Sequence, residues 1–288
     1  MIIVTGATGA LNGATVEHLL KRIPPRHIGV SVRAPERAQH LADKGVRVRQ
    51  GSYDAPAALR HSFADAEQVL LVSSSDFDAD VVTQHRKAID AAVEAGAQRI
   101  LYTSAHGTGF DTPYPPLAIH AATEQHLAAS GVPWTALRNG FYGDLSQLIG
   151  PWQEMGVIAT PADGPFSWVD RREAAEAAAE ILTGDASIDG PVDLTLPSPV
   201  TLADFASVAS ERTGRHIERV VIDDETWVAD EVANGTPEEV ARFTLSWFQA
   251  TRGGYFAHSD SRLSQLLGRA PRKATDQLAD LMSENRSR

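Results

Sequence analysis

The chain has 288 residues, of which 43% are hydrophobic and 22% charged, proportions typical of a globular protein with one large domain or a domain and a smaller lobe. It contains no cysteine, which excludes a disulfide scaffold, thiolate zinc, an iron–sulfur cluster and a cysteine nucleophile. Most of the formal net charge of −11 lies after residue 150, and an acidic half disfavours contact with nucleic acid phosphates.

The first 150 residues alternate short apolar runs with segments of helical periodicity. The apolar runs predict strands over residues 2–5, 28–32, 46–49, 69–73, 100–103 and 134–138. The segments between them predict helices over residues 14–22, 36–44, 57–63, 81–95 and 117–130. Strands that alternate with helices and are apolar throughout form parallel sheets covered on both faces. We therefore predict a doubly wound α/β Rossmann domain over residues 1–150.

The regular alternation of predicted strands and helices ends near residue 150. Helices are predicted over residues 173–182 and 202–213, strands over 192–196 and 217–222, and a run of helices begins at Glu225. Residues 151–288 are predicted to form a smaller, mostly helical α/β substrate lobe, with some of its chain returning to the Rossmann domain.

The first predicted strand ends in a glycine-rich turn that opens the first helix. Glycines there permit a tight turn and a close approach of backbone to a pyrophosphate, and the helix N-terminus supplies N–H groups. The predicted dinucleotide-binding residues of this turn are Gly6, Ala7, Thr8, Gly9, Ala10 and Leu11. Asn12 occupies the position of the third motif glycine, with Gly13 next, which predicts a slightly shifted turn.

Arg33 ends the second predicted strand, where an NAD-specific site usually places an acidic residue for the ribose hydroxyls. A guanidinium suits a 2′-phosphate, and Arg37 lies one helical turn further on. Ser73, Ser74 and Ser75 follow the fourth strand at the edge where ligands bind in open α/β folds, although a plain surface loop is the alternative. Arg33 predicts that the cofactor is NADPH (NADP⁺).

Several segments together form a recognisable pattern. They are Gly6-Ala7-Thr8-Gly9, Val32-Arg33, Tyr102-Thr103-Ser104, the helix from Glu124 to Gly131, and Leu137-Arg138-Asn139-Gly140. With them the chain resembles the NmrA-like family of atypical short-chain dehydrogenases/reductases, and most closely its NADPH-dependent quinone oxidoreductases and triphenylmethane dye reductases. The resemblance implies an NADPH site that includes Thr103, Asn139, Gly140, Phe141 and Tyr142, in a segment that continues to Asp144. Ser52 stands where close relatives often have an Asp near the adenine.

The Tyr-x-x-x-Lys pair of ordinary short-chain dehydrogenases is missing. Aligned on the helix of Glu124, the lysine position holds His120 and the tyrosine position holds Pro116. Reduction of a quinone or a cationic dye tolerates this loss, because hydride is added to a strongly electrophilic centre and the aromatic ring formed from a quinone stabilises the product oxyanion. The candidate catalytic residues are His120 and Tyr142 as proton donors, and Ser104 at the usual serine position of the fold. A satisfied core histidine and a core-packing tyrosine are the alternatives for the first two.

Aromatic residues cluster in the second half and predict core packing, with a lid over a flat substrate as the alternative. They are Trp168, Trp227, Phe243, Trp247, Phe248, Tyr255 and Phe256. The ten histidines show no metal-binding spacing, so no metal site is expected.

These features predict an NADPH-dependent oxidoreductase that transfers hydride to a small electrophilic aromatic acceptor, in the first place a quinone. The alternatives are a non-catalytic NADP(H)-sensing regulatory protein of the NmrA type, or a reductase or isomerase of a specialised metabolite. The short tail after the last predicted helix favours an enzyme. The expected partner is a small aromatic or quinone-like molecule, not a nucleic acid, with a homodimer as one candidate assembly. No run approaches the about 20 apolar residues of a membrane span, and no leader precedes the first strand, so we expect a cytoplasmic protein.

Overall fold

The computed structural model describes residues 1–76, 79–142, 146–184 and 188–284. The described chain contains nine strands, and those at the centre of the main sheet are short runs of mostly buried residues. The nine strands are β1 (Ile2–Thr5), β2 (Ile28–Val32), β3 (Arg47–Gln50), β4 (Gln68–Leu71), β5 (Arg99–Ala105), β6 (Trp134–Asn139), β7 (Val157–Thr160), β8 (Gly190–Leu194) and β9 (Glu218–Val221).

The same residues contain thirteen α-helices, and 3₁₀ turns at Pro25–His27 and Pro35–Ala38. Those of the first half are α1 (Ala10–Leu20), α2 (Gln39–Ala42), α3 (Pro56–Ser62), α4 (Val81–Glu94), α5 (Pro115–Ala129) and α6 (Ser146–Ile149). Those of the second half are α7 (Trp152–Met155), α8 (Arg171–Thr183), α9 (Leu202–Thr213), α10 (Asp224–Ala233), α11 (Glu238–Arg252), α12 (Arg262–Leu267) and α13 (Ala274–Glu284). None of the helices of the described residues is long and apolar enough to cross a membrane.

Seven parallel strands form the main sheet in the order β3-β2-β1-β4-β5-β6-β8. The chain moves outward from β1 to β3 and then returns to place β4 on the other side of β1. This reversal leaves a crevice at the carboxyl ends of β1 and β4, which is where open α/β sheets bind ligands. The predicted doubly wound parallel sheet is confirmed.

The second half of the chain contributes to both lobes. The strand β8 joins the main sheet beside β6, and α8 packs on α1, where Arg22 and Glu180 form an ion pair. A separate two-stranded parallel sheet pairs β7 with β9. A continuous buried cluster extends from Ile2 in the first strand to Leu278 in the last helix. This packing joins the second half of the chain to the main sheet and to the helices that cover it.

One local prediction was wrong, and one strand was not predicted. The segment 36–44 does not form one helix, since a 3₁₀ turn at Pro35–Ala38 is followed by a single α-turn, and Ala38 leaves the helical region at φ −105° and ψ 12°. The four-residue strand β7 is not predicted by the sequence. It begins directly after Gly156, which ends α7 in the left-handed conformation, and its partner β9 lies about 60 residues further along.

Candidate cofactor and active site

A cavity of about 580 Å³ opens at the carboxyl ends of β1, β2, β3 and β4. Seven of the predicted cofactor residues line it: Gly6, Thr8, Gly9, Arg33, Ser73, Ser74 and Ser75. The other predicted residues lie beneath the turn or at the ends of β5 and β6. The structure therefore brings the glycine-rich turn, the arginine and the serine loop together around a single space.

Gly6 lines this cavity in a backbone conformation that favours glycine. Its φ of +63° lies in the left-handed region, and an added Cβ would come within 2.6 Å of Val72 Cγ1. The adjoining Thr5 hydroxyl accepts the Val72 N–H at 2.8 Å and hydrogen-bonds the Tyr53 hydroxyl at 2.8 Å. The ends of β1 and β4 are thereby tied together directly behind the turn.

The N-terminus of α1 opens into the cavity without a side-chain cap. Gly9 occupies the cap position, and the first turn of the helix carries no acidic residue. Ala7 is buried below the turn, while Ala10 and Leu11 begin the helix. A helix N-terminus of this kind presents backbone N–H groups and the positive end of its dipole, which suits a pyrophosphate.

Asn12 replaces the third motif glycine without disturbing the turn. Its side chain is buried and its Nδ2 donates to the Thr5 carbonyl at 2.8 Å, so the amide fastens α1 to the end of β1. The next residue, Gly13, lies against the Ala7 carbonyl. The close contact of helix and turn therefore falls one residue later than the usual motif places it.

Two arginines give the cavity a cationic side. Arg33 follows β2 and Arg37 lies in the 3₁₀ turn behind it, and both side chains are exposed and line the cavity. Neither forms an ion pair with a carboxylate anywhere in the part of the chain that the structure describes. Their guanidinium groups are thus available to an anionic ligand.

The serine loop is held by buried side chains. The Ser73 N–H donates to Thr103 Oγ1 at 2.9 Å, and the Ser74 N–H donates to His85 Nε2 at 2.8 Å. Thr103 is 5% exposed and lies at the end of β5. The sequence predicts Thr103 as a cofactor residue, and the structure shows it supporting the loop that lines the cavity.

A neutral hydrogen-bonded chain leads from this loop to His120. Because Ser74 donates to His85 Nε2, the ring proton of a neutral His85 lies on Nδ1, which is 2.9 Å from Thr123 Oγ1 and 3.3 Å from the Tyr102 hydroxyl. The Tyr102 hydroxyl lies 2.7 Å from His120 Nδ1. Either the phenol or the imidazole can be the donor in this bond, which orients the ring of His120.

Burial keeps the side chains of this hydrogen-bonded series uncharged. It lowers the pKa of His85 to about 4 and, together with the nearby His85 and Arg138, lowers the pKa of His120 to about 3. Burial also raises the pKa of Tyr102 well above its usual range. At neutral pH the half-buried His120 is therefore a neutral imidazole with an oriented N–H, not an imidazolium.

Ser104 belongs to a second network. Its hydroxyl donates to Glu124 Oε1 at 2.7 Å, and the same carboxylate accepts Arg138 Nε at 3.0 Å and Nη2 at 2.6 Å. Ser104 is 4% exposed and Glu124 is 7% exposed. This network ties α5 to the ends of β5 and β6 and commits the serine proton to a carboxylate.

Tyr142 and its neighbours follow the end of β6. Gly140 lies against the backbone of Trp168, where a Cβ would come within 3.0 Å, and this contact lets Phe141 bridge to Trp168. Burial raises the pKa of Tyr142, although Arg171, 5.2 Å from the ring centre, and a hydrogen bond from Asn139 act in the opposite direction. Tyr142 thus remains a protonated phenol. Residues 143 and 144 of the predicted segment lie outside the described residues.

The aromatic residues of the second half form core, as the sequence predicts. Trp168, Trp227, Trp247, Phe248 and Phe256 are each at most 8% exposed. Phe243 is 36% exposed and packs beside Tyr114, and Tyr255 is partly buried. Most of these rings are therefore unavailable as a lid. No set of three His, Asp or Glu side chains that could hold a metal ion occurs in the described ranges.

The sequence analysis assigns no site role to four side chains around the cavity. Tyr53, Gln84, His85 and Tyr102 support or line the cavity from β5, α4 and the segment after β3. A signal exists for His85 alone, since a histidine stands on the otherwise apolar face of a predicted helix. The roles of the other three depend on contacts between distant segments.

Comparison with known proteins agrees with this geometry. A family profile described as NAD(P)H-binding matches residues 6–185. Quinone oxidoreductase 2 of Escherichia coli (strain K12) is 34% identical over 292 residues, which cover 99% of this chain and 100% of that protein. An NmrA-like family domain-containing oxidoreductase of Aspergillus flavus is 28% identical over 99% of this chain and 95% of its own.

The fold is shared with a solved reductase. The structure of Citrobacter sp. triphenylmethane reductase complexed with NADP(H) superposes with a TM-score of 0.88 at 31% identity, covering 98% of this chain and 100% of that one. The resemblance to NmrA-like proteins, quinone oxidoreductases and dye reductases that the sequence predicts is confirmed. With a profile match over more than half of its length, the chain belongs to the NAD(P)H-binding family.

Proposed function

We propose that this protein is an NADPH-dependent reductase of a small electrophilic aromatic acceptor, in the first place a quinone. The observation that carries the proposal is the cavity that joins an uncapped helix N-terminus to two arginines free of carboxylate partners in the described chain. The names of the relatives support the same activity, since one is a quinone oxidoreductase and another a triphenylmethane reductase with NADP(H).

The residues of the cavity fit the phosphates of NADPH. The N-terminus of α1, beyond the Gly6 turn, would hold the pyrophosphate. Arg33, assisted by Arg37, would hold the 2′-phosphate by charge and by its planar donor fork. Bound NADPH would supply the hydride. The nicotinamide would extend from the pyrophosphate toward the ends of β5 and β6, where Asn139 and Tyr142 lie.

His120 is the side chain best suited to assist the acceptor. In the tautomer with its proton on Nε2, its N–H can donate a hydrogen bond to the oxygen on which negative charge develops as a quinone accepts hydride. In that tautomer the Tyr102 hydroxyl would donate to His120 Nδ1 and keep the ring oriented. The buried Ser104 is less suited, since it donates to Glu124, and Tyr142 is the second candidate donor.

Purified protein is expected to oxidise NADPH in the presence of simple quinones or a triphenylmethane dye, and to prefer NADPH over NADH. The decrease in absorbance of the reduced nicotinamide measures the rate, against a reaction without protein. Tight binding of NADPH and NADP⁺ with different affinities, but no turnover of any acceptor, would replace the enzyme with the sensor alternative.

Arg33→Ala is expected to weaken NADPH binding by about 1.5–3 kcal/mol, the contribution of hydrogen bonds to a charged group, and to leave NADH binding little changed. Nicotinamide fluorescence titrations of both cofactors measure the effect. Arg26→Ala is the matched control, because Arg26 is an exposed arginine at the opposite, amino end of the same strand. An equal loss for NADPH and NADH would contradict the 2′-phosphate assignment.

A further inference from the structure

A buried hydrogen bond joins the last helix of the described chain to Trp168. Gln277 on α13 is 5% exposed, and its Oε1 accepts the Trp168 Nε1–H at 2.6 Å. Its Nε2 donates to the Arg272 carbonyl at 3.0 Å. Because an indole N–H can only donate, these two contacts define which end of the amide faces Trp168. The bond therefore has a single orientation, in which both ends of the amide are satisfied.

Trp168 in turn supports the segment that follows β6. The Phe141 N–H donates to the Ser167 carbonyl at 2.8 Å, and the Val169 N–H donates to the Phe141 carbonyl at 3.1 Å. The rings of Phe141 and Trp168 lie edge to face, with their centres 5.5 Å apart. Since such interiors are closely packed, a displacement of Trp168 also displaces Phe141.

The residues beside this bond connect the same two parts of the chain. Just before α13, the Arg272 side chain pairs with Asp170 at 2.9 Å, and the Arg272 N–H donates to the buried Glu173 carboxylate at 3.0 Å. Arg171, which lies between these two acids in the sequence, donates to the Tyr142 carbonyl at 3.0 Å. One short stretch of chain thus contacts both the C-terminal residues and the segment of Tyr142.

The buried bond is the contact that decides where the indole lies. The ion pair of Arg272 is partly exposed, and pairs of that kind contribute little. Without the Gln277 oxygen, the indole N–H of Trp168 would be buried without a partner, which is unfavourable. The ring would then move toward another acceptor or toward water, and Phe141 and Tyr142 would move with it.

We propose that Gln277 is a positioning residue for the nicotinamide half of the cofactor, and that it acts through Trp168 on the segment of Phe141 and Tyr142. This inference rests on the proposed function, because that function places the nicotinamide beside this segment. The adenosine half would be held elsewhere, by the glycine-rich turn and Arg33 in the cavity of β1 to β4. Loss of the buried bond should therefore affect one half of the dinucleotide and spare the other.

Gln277→Leu tests the proposal, because leucine keeps most of the side-chain volume and removes both polar atoms. Dissociation constants of the full chain are measured for NADPH by nicotinamide fluorescence and for adenosine 2′,5′-bisphosphate by calorimetry. The variant is expected to bind NADPH about fivefold more weakly, the factor that corresponds to one net hydrogen bond. Binding of the bisphosphate, which carries no nicotinamide, should stay at the wild-type level.

Hydrogen exchange of the cofactor-free protein gives a second readout. The amide protons of Phe141 and Val169 are held by the hydrogen bonds on either side of Trp168, so both should exchange faster in Gln277→Leu. Gln265→Leu is the matched control, because Gln265 is an exposed glutamine of α12 whose amide bonds Ser261 Oγ at 3.1 Å. Its affinities and its exchange rates should equal those of the wild type.

Trp168→Phe removes the other partner of the same bond and keeps an aromatic ring. It should also weaken NADPH binding and spare the bisphosphate. Adding Gln277→Leu to it should cause little further loss, because the bond is already absent. Either single variant tests the bond, so one of them is sufficient if the other fails to fold.

Equal weakening of NADPH and the bisphosphate in Gln277→Leu would indicate a general loosening of the protein. That result, or an unchanged affinity for NADPH, would overturn the positioning role and leave the NADPH-dependent reductase intact. Additive losses in the double variant would show that the two residues act separately and would also overturn it. Failure of the wild type to bind NADPH would overturn the proposed function together with this inference.

Discussion

Glu124→Ala is expected to lower the free energy of unfolding by about 3 kcal/mol. The carboxylate is 7% exposed and receives three hydrogen bonds, two from Arg138 and one from Ser104. Removing one partner of a buried ion pair costs about 3–5 kcal/mol, because the remaining charge is left without compensation. We expect a loss at the lower end of this range, because the Arg138 side chain is 25% exposed and its charge can be partly hydrated in the variant.

Urea unfolding of the wild type and the variant measures this loss, with Glu94→Ala as the matched control. Glu94 pairs with Arg60 at 2.9 Å, but both side chains are more than half exposed. Such surface pairs contribute about 0–1 kcal/mol, so the control should remain close to the wild type. If both variants lost the same small amount, the buried network would not be what fastens α5 to the sheet.

The catalytic consequence of the same variant follows from helix geometry. Glu124 lies one helical turn after His120, so both side chains are on the same face of α5. The Glu124 network therefore sets the position of the helix that carries His120. We expect Glu124→Ala to reduce quinone turnover even at temperatures where the variant remains folded.

The architecture could be predicted because the strands at the centre of the main sheet are short apolar runs that are almost fully buried. Parallel strands covered on both faces show no alternation, and the runs at Ile28–Val32 and Ile2–Thr5 carry this signal without interruption. Boundaries elsewhere are displaced by a few residues. The predicted strand over 46–49 is observed as Arg47–Gln50, since ladder hydrogen bonds and not side-chain polarity decide where a strand ends.

The cofactor side of the site is predictable for a positional reason. In a parallel sheet the residue after each strand lies at the same edge, so Gly6, Arg33 and Ser73 had to meet once the strands were assigned. The acceptor side is different. In the sequence, Tyr102 looks like an ordinary apolar residue of a strand. Its hydroxyl contacts His120 on the next helix, and this contact depends on how α5 packs on β5, which the sequence alone does not show.

Local chemistry also changes the role of a residue that a motif suggests. Ser104 stands at the usual serine position of the fold, yet its hydroxyl donates to the buried Glu124. Asp54 and Gln84 belong to no motif of the sequence analysis, yet both line the cavity, where Gln84 Nε2 donates to Asp54 Oδ1 at 3.0 Å. This contact depends on the approach of α4 to the turn after β3, which the sequence alone does not show.

Acidification from pH 7 to pH 4.5 is expected to lower the free energy of unfolding by about 2 kcal/mol through His85. Burial lowers the pKa of this side chain to about 4 in the folded protein, against a value of about 6.5 in the unfolded chain. The unfolded state therefore binds more protons between these two values. Stability from His85 is complete above pH 6.5 and is lost as the pH falls toward 4.

Urea unfolding at several pH values, compared between the wild type and His85→Gln, isolates this contribution from that of the carboxylates. The variant retains an acceptor for the Ser74 N–H but no titrating group, so its stability should fall less steeply with acid. His61→Gln, at an exposed histidine of α3, should keep the wild-type slope. Identical slopes for the wild type and His85→Gln would contradict the prediction.

The same protonation connects stability to the cofactor cavity. A protonated His85 has no acceptor on Nε2, so the Ser74 N–H that it holds at 2.8 Å loses its partner, and the serine loop keeps only the hydrogen bond from Ser73 to Thr103 of its two anchors. Since this loop lines the cavity, NADPH affinity of the folded wild type should decline as the pH falls from 5 toward 4, where His85 of the folded protein gains its proton. In His85→Gln the loop keeps an acceptor throughout, and the affinity should decline less over the same range.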